Sequence, residues 1–141
     1  MRNDNQILFD SKAFALRIIR LYNYLKQEKQ VYVLSKQLLR SGTSIGANVR
    51  ESVNAQSRMD FINKLNIALK EANESEYWLE LLHESNYLDD QQFESIYNDC
   101  GKIAATLTKI IKTTKATVNY TLKLVGKHII SDGISACLTI L

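Results

Sequence analysis

The sequence predicts an all-α chain folded as an antiparallel, up-down-up-down four-helix bundle, and three observations carry that prediction. The 141 residues hold no proline and only five glycines, so the residues that punctuate turn-rich folds are scarce. Apolar residues recur at three- and four-residue steps in four separate stretches, the period of a helix face. The links between those stretches are short, which makes consecutive helices antiparallel neighbours. A chain of this length suits one domain, hiding roughly two-thirds of its unfolded surface on folding.

Residues 1–9 read as a lead, 10–115 as the bundle and 116–141 as a tail. The first helix is expected to begin at Asp10 or Ser11, both good caps, and to run to Gln27 with Phe14, Ile18, Leu21 and Leu25 on one face. The second spans Val31 to Ala55, with the stripe Leu34, Leu38, Ser41, Ile45, Asn48 or Val49, and Ser52. Half of that stripe is small or polar. Gly42 and Gly46 lie one turn apart in the same helix, each costing about 1 kcal/mol relative to alanine, and a close approach by another backbone would explain them.

The third helix, after Ser57, keeps heptad spacing through Phe61, Leu65, Ala68, Ala72, Ser75, Leu79 and Leu82. After a short link that ends at Asp89 or Asp90, the fourth repeats the pattern with Phe93, Ile96, Cys100, Ile103, Leu107 and Ile110. Beyond Lys115 the pattern changes. Val118, Tyr120, Leu122 and Leu124 alternate with Thr117, Asn119, Thr121 and Lys123, and an apolar tip follows from Ile134 to Leu141. An edge strand, a weak continuation of the helix and a disordered tail are all compatible with this. Because a lone strand has no sheet to join, a poorly ordered or partner-contacting tail is favoured.

Composition narrows the function classes. An apolar content of 45% is ordinary for a globular protein. Cys100 and Cys137 make neither a disulfide framework nor a zinc site. The polar start lacks the pattern of a signal peptide, and no run approaches the ~20 apolar residues that span a bilayer, so a cytoplasmic protein without a membrane partner is expected. A net charge of +3 does not by itself argue for nucleic acid.

The stretch Leu38-Leu39-Arg40-Ser41-Gly42-Thr43-Ser44-Ile45-Gly46-Ala47-Asn48-Val49-Arg50-Glu51-Ser52 resembles the motif of the bacterial four helix bundle protein family, encoded in intervening sequences of large-subunit ribosomal RNA genes. A second block fits as well: Asp60-Phe61-Ile62, Leu65, and Ile67 through Leu82. The resemblance covers Phe9 to Lys115. It implies a homo-oligomer, commonly a ring-like pentamer, and no enzymatic activity. The chain also looks like the accessory variability determinant of diversity-generating retroelements, which implies RNA or DNA and a reverse transcriptase as partners. One departure is clear: where the family reads Asn-Ile-Ala-Glu-Gly, this chain has Asn48-Val49-Arg50-Glu51-Ser52.

No catalytic centre emerges from the residues, and no cofactor or metal is expected. A carboxylate-bridged di-iron site needs two Glu-x-x-His motifs. Glu80-Leu81-Leu82-His83 is one, but His128 is preceded at the required position by Val125. Cys100 falls on the core stripe with no histidine placed to activate it. Arg40, Asn48, Glu51 and Glu74 are candidates for a buried polar network, read structurally as fixing helix register and functionally as lining a small ligand pocket. Of the adjacent Tyr77 and Trp78, only one can face the core fully, and the other suits a subunit interface or plain packing.

Charge carries the functional signal. From Glu71 through Asp99 the chain has acids and no Lys or Arg, and from Cys100 through Ser131 it has lysines and no acid. In an antiparallel bundle these blocks sort by end. One end is expected to collect Arg58, Lys64, Lys109, Lys112 and Lys115, with Arg50 and Arg17 nearby. The other would hold Glu80, Glu84, Asp89, Asp90 and Glu94, partly offset by Lys26, Lys29 and Lys36. The third helix carries its charges against its own dipole, so dipole complementarity does not account for the pattern. The basic end is the candidate phosphate-contacting face.

Overall fold

The computed structural model describes the backbone of residues 2–140 and the side chains of residues 5–127. Four helices follow in order, α1 (Arg2–Gln27), α2 (Val33–Val53), α3 (Arg58–Glu84) and α4 (Asp90–Ile140). Each packs along the next, while α1 and α4 meet over a shorter stretch, as an up-down bundle requires. The core joins Phe14, Ile18 and Leu25 of α1, Leu38, Ile45 and Val49 of α2, Leu65, Leu79 and Leu82 of α3, and Cys100, Ile103 and Leu107 of α4. Polar atoms trapped in this core are satisfied: no described buried side-chain nitrogen or oxygen lacks a partner.

Local chemistry sets the helix ends. Ser57 caps α3, its hydroxyl accepting from the Asp60 N–H at 3.0 Å. Asp89 caps α4 in a reciprocal box: its carboxylate accepts from Gln92 N–H at 2.7 Å, and Gln92 Oε1 accepts from Asp89 N–H at 3.0 Å. At the finish of α1 and α3 the chain turns through left-handed residues, Gln30 at φ 56° and Asn86 at φ 64°. The next amide then reaches back into the helix, Val31 N–H to Leu25 and Tyr87 N–H to Leu82, both at 2.9 Å.

One expectation needs correction, and two alternatives left open are decided. Helix α1 starts at Arg2, so Asp10 and Ser11 are interior residues and residues 2–9 are no separate lead. Ile7 and Ser11 extend the stripe of Phe14 and Ile18 backwards at four- and three-residue steps, and both are buried. On α2, Val49 takes the core position and Asn48 only donates to the Ser44 carbonyl at 2.8 Å. Of the alternatives for the tail the helical continuation is the one found, with α4 running to Ile140. Val118, Leu122 and Val125 keep the step of Leu107 and Ile111, and that helical period wins over the alternation. The threonines that suggested a strand bond back into the helix, Thr117 to the Thr113 carbonyl and Thr121 to the Thr117 carbonyl, each at 3.0 Å. The apolar tip from Ile134 to Leu141, with Cys137, lies outside the described side chains.

The two glycines of α2 are explained by close approach. A Cβ on Gly46 would stand 3.3 Å from the Ser11 carbonyl oxygen, so the α1 backbone lies directly against it. A Cβ on Gly42 would stand 2.8 Å from Ile18 Cγ1, so here a side chain fills the space. The core serines close the same region. Ser41 on α2 and Ser75 on α3 hydrogen-bond through hydroxyls 2.8 Å apart, fully buried between the helices.

Candidate nucleic-acid interface

Antiparallel packing brings the last turn of α2, the first turns of α3 and the α4 segment around Ile110 to one end of the bundle. A small apolar cavity of about 160 Å³ marks that end, lined by Ile7, Val49, Phe61, Leu65 and Ile110 among others. At the same end Arg50, Arg58, Lys109 and Lys112 are exposed, with Lys115 one turn further along α4. None of these five makes an ion pair with another described residue.

Two of the expected cations are otherwise engaged. Lys64 pairs with Glu51 at 2.8 Å, and that hydrogen bond raises its pKa. Arg17 is away from the basic end. It pairs with Asp99 and donates to Ser95 Oγ at 2.8 Å, crossing from α1 to the earlier part of α4. The reason is helix register: Arg17 lies too far along α1 to share an end with Lys109.

The expected polar network does not form as one unit, and it is not buried. Arg40, half exposed, pairs with Glu74 and also with Glu71 at 3.3 Å. The Arg40 guanidinium holds the Glu74 carboxyl below its usual range, helped by the Trp78 indole N–H at 3.2 Å. Glu51 belongs to Lys64, and Asn48 bonds only within its own helix. The pocket reading of this group therefore falls. Serines, not ions, make the buried polar contact between α2 and α3.

The remaining chemical candidates are occupied structurally. Glu80 accepts from the Tyr97 hydroxyl at 2.8 Å, which pushes the phenol up to about 12. His83 Nε2 lies 2.7 Å from Asp90 Oδ1, and its ring stacks on Phe93. No group of three His, Cys, Asp or Glu among the described residues is placed to hold a metal ion. Burial pushes the Cys100 thiol up to about 12, far from a reactive thiolate. Trp78 packs partly against the core, leaving Tyr77 exposed.

Two features escaped the sequence reading. An open groove of about 710 Å³ runs between α1 and α2, lined by Phe9, Lys12, Ala15, Gly46, Ala47 and Arg50 among others. Starting α1 at Asp10 hid it, although Ile7 already keeps the heptad step to Phe14. Lys102, Lys123 and Lys127 were the second omission, all exposed on α4.

These features define a four-helix protein with cations at one end and no evident catalytic group among its described residues. The chain belongs to the 23S rRNA-intervening sequence protein family, whose profile matches residues 3–109. It is also similar to a solved protein of unknown function from the S23 ribosomal protein family of Bacteroides thetaiotaomicron. Identity is 59% and the TM-score 0.77, with 78% of this chain and 98% of that one covered. No curated protein matches the chain. No helix among the described residues is long and apolar enough to cross a membrane.

Proposed function

We propose that this protein is a non-enzymatic homo-oligomer, a pentamer, that binds RNA or DNA through the basic end of its bundle as an accessory to a nucleic-acid enzyme such as a reverse transcriptase. The observation that carries the reading is the grouping of Arg50, Arg58, Lys109, Lys112 and Lys115 at one end without ion-pair partners among the described residues. Exposed Glu84, Asp89, Asp90 and Glu94 occupy the other end. Repeated around a ring, the cations form one face that meets phosphates, with binding that weakens steeply as salt rises. The family's description, which refers to an intervening sequence of 23S rRNA, supports the same class of partner. A gel shift at low salt tests the reading. Micromolar binding lost on charge reversal of Lys109, Lys112 and Lys115 is expected, and no binding by the unaltered protein sinks it.

One observation favours a second reading, a protein–protein scaffold with no nucleic-acid role. Beyond the bundle, α4 exposes Leu122 and Val125 on its apolar stripe, surface of the kind that recruits partners. Deleting residues 117–141 then abolishes partner recovery while leaving the oligomer size unchanged. Recovery that survives the deletion counts against it.

A further inference from the structure

The outer side of α4 carries a row of lysines that extends past the bundle. Lys102, Lys109, Lys112, Lys123 and Lys127 are all exposed. At 3.6 residues per turn they fall within an arc of about 80°, opposite the buried Cys100, Ile103, Leu107 and Ile111. From Lys102 to Lys127 the helix rises roughly 37 Å at 1.5 Å per residue. No acid occurs between Cys100 and Ser131. None of the five lysines pairs with a described residue. Small residues, Ala105 and Ala116, share the row, and Tyr120, 66% exposed, fills the gap between Lys112 and Lys123. Such a row is not an end-on cluster. It is a long, straight, single-signed edge.

We infer that this edge is a binding site for duplex nucleic acid, with α4 lying along the duplex against the phosphates that face it and Lys102, Lys123 and Lys127 extending the contact beyond the basic end. The length favours a duplex, because a stiff double helix brings phosphates of both strands to one side within a turn of about 34 Å, where a straight row of cations meets them. Lysines supply point charges without base readout, and the Tyr120 hydroxyl adds a phosphate donor, so recognition is independent of sequence. The Lys123 and Lys127 half of the row lies outside residues 3–109, the part matched to the family. The inference rests on the nucleic-acid reading above and adds residues that reading does not use.

The test compares two triple variants of the full chain, Lys102→Gln/Lys123→Gln/Lys127→Gln and Lys26→Gln/Lys29→Gln/Lys36→Gln, which remove equal charge from the row and from the opposite end. Binding to a duplex of about 20 base pairs is followed against salt, with circular dichroism and oligomer mass as folding controls. The row variant should bind at least tenfold more weakly at low salt, with a slope of log K against log salt shallower by about 2 to 3. The opposite-end variant should match the unaltered protein. Equal loss in both variants, or no change in the row variant while the unaltered protein still binds, overturns the edge and leaves the basic-end reading standing. Binding to anionic phospholipid vesicles in preference to the duplex also overturns it. Failure of the unaltered protein to bind any polynucleotide removes both readings.

Discussion

Helix α4 contains two regions of the same pattern in different surroundings. Between Asp90 and Ile111 its apolar stripe faces α3 and α1, and Leu107 is fully buried. Past the bundle the stripe continues through Val118, Leu122 and Val125, yet Leu122 is 64% exposed. One helix thus carries one periodicity through a dry half and a wet half. Periodicity decides where the side chains lie on the helix, and neighbouring helices decide whether water leaves them.

The sharpest way to break this comparison is to make the same change in both halves. Leu107→Ala should cost about 2 to 5 kcal/mol in urea unfolding, since it removes burial and leaves a cavity. Leu122→Ala should stay within about 0.5 kcal/mol in the isolated chain. A large loss from Leu122→Ala would mean that the extension is covered by another surface in solution.

A smaller effect is expected where α1 and α2 touch. Gly42→Ala should destabilise by about 1 kcal/mol, as crowding against Ile18 outweighs the gain in helix propensity. Thermal unfolding checks it, and a raised Tm would show that Ile18 gives way freely. The smallest effect belongs to the surface pair of Arg40 and Glu74. Glu74 has a lowered pKa in the fold, so its contribution is present above the ordinary glutamate value of 4.5 and is lost as pH falls through the lowered one. Because Arg40 is half exposed, solvent screening holds that contribution to about 0.5 kcal/mol or less. The stability gap between the unaltered protein and Glu74→Gln should therefore close on acidification. A gap that widens would reverse the sign.

Much of the bundle was legible before any coordinates, and particular residues show why. The stripes of α3 and α4 appear as read from Leu65 to Leu82 and from Ile96 to Ile110, because heptad spacing leaves no second face for those residues to occupy. The starts of α3 after Ser57 and of α4 at Asp89 or Asp90 were also legible, and there Ser57 and Asp89 act on amides three residues away. The candidate interface was read less completely. Arg50, Arg58, Lys109, Lys112 and Lys115 follow from topology alone. Arg17 and Lys64 do not, since the acids that engage them, Asp99 and Glu51, lie on other helices and depend on relative rotation. The row from Lys102 to Lys127 went unread because a straight edge needs a continuous helix, and the alternating segment after Lys115 concealed one.

By itself the sequence determined the helical fold, the order of its elements and the separation of acids from lysines along the chain, since periodicity, caps and charge are local properties. Only tertiary packing decided that Ile7 draws α1 back to Arg2, that Gly46 admits the α1 backbone, and that Arg40, Asn48, Glu51 and Glu74 separate. Those outcomes depend on distances between helices, and no single helix contains them.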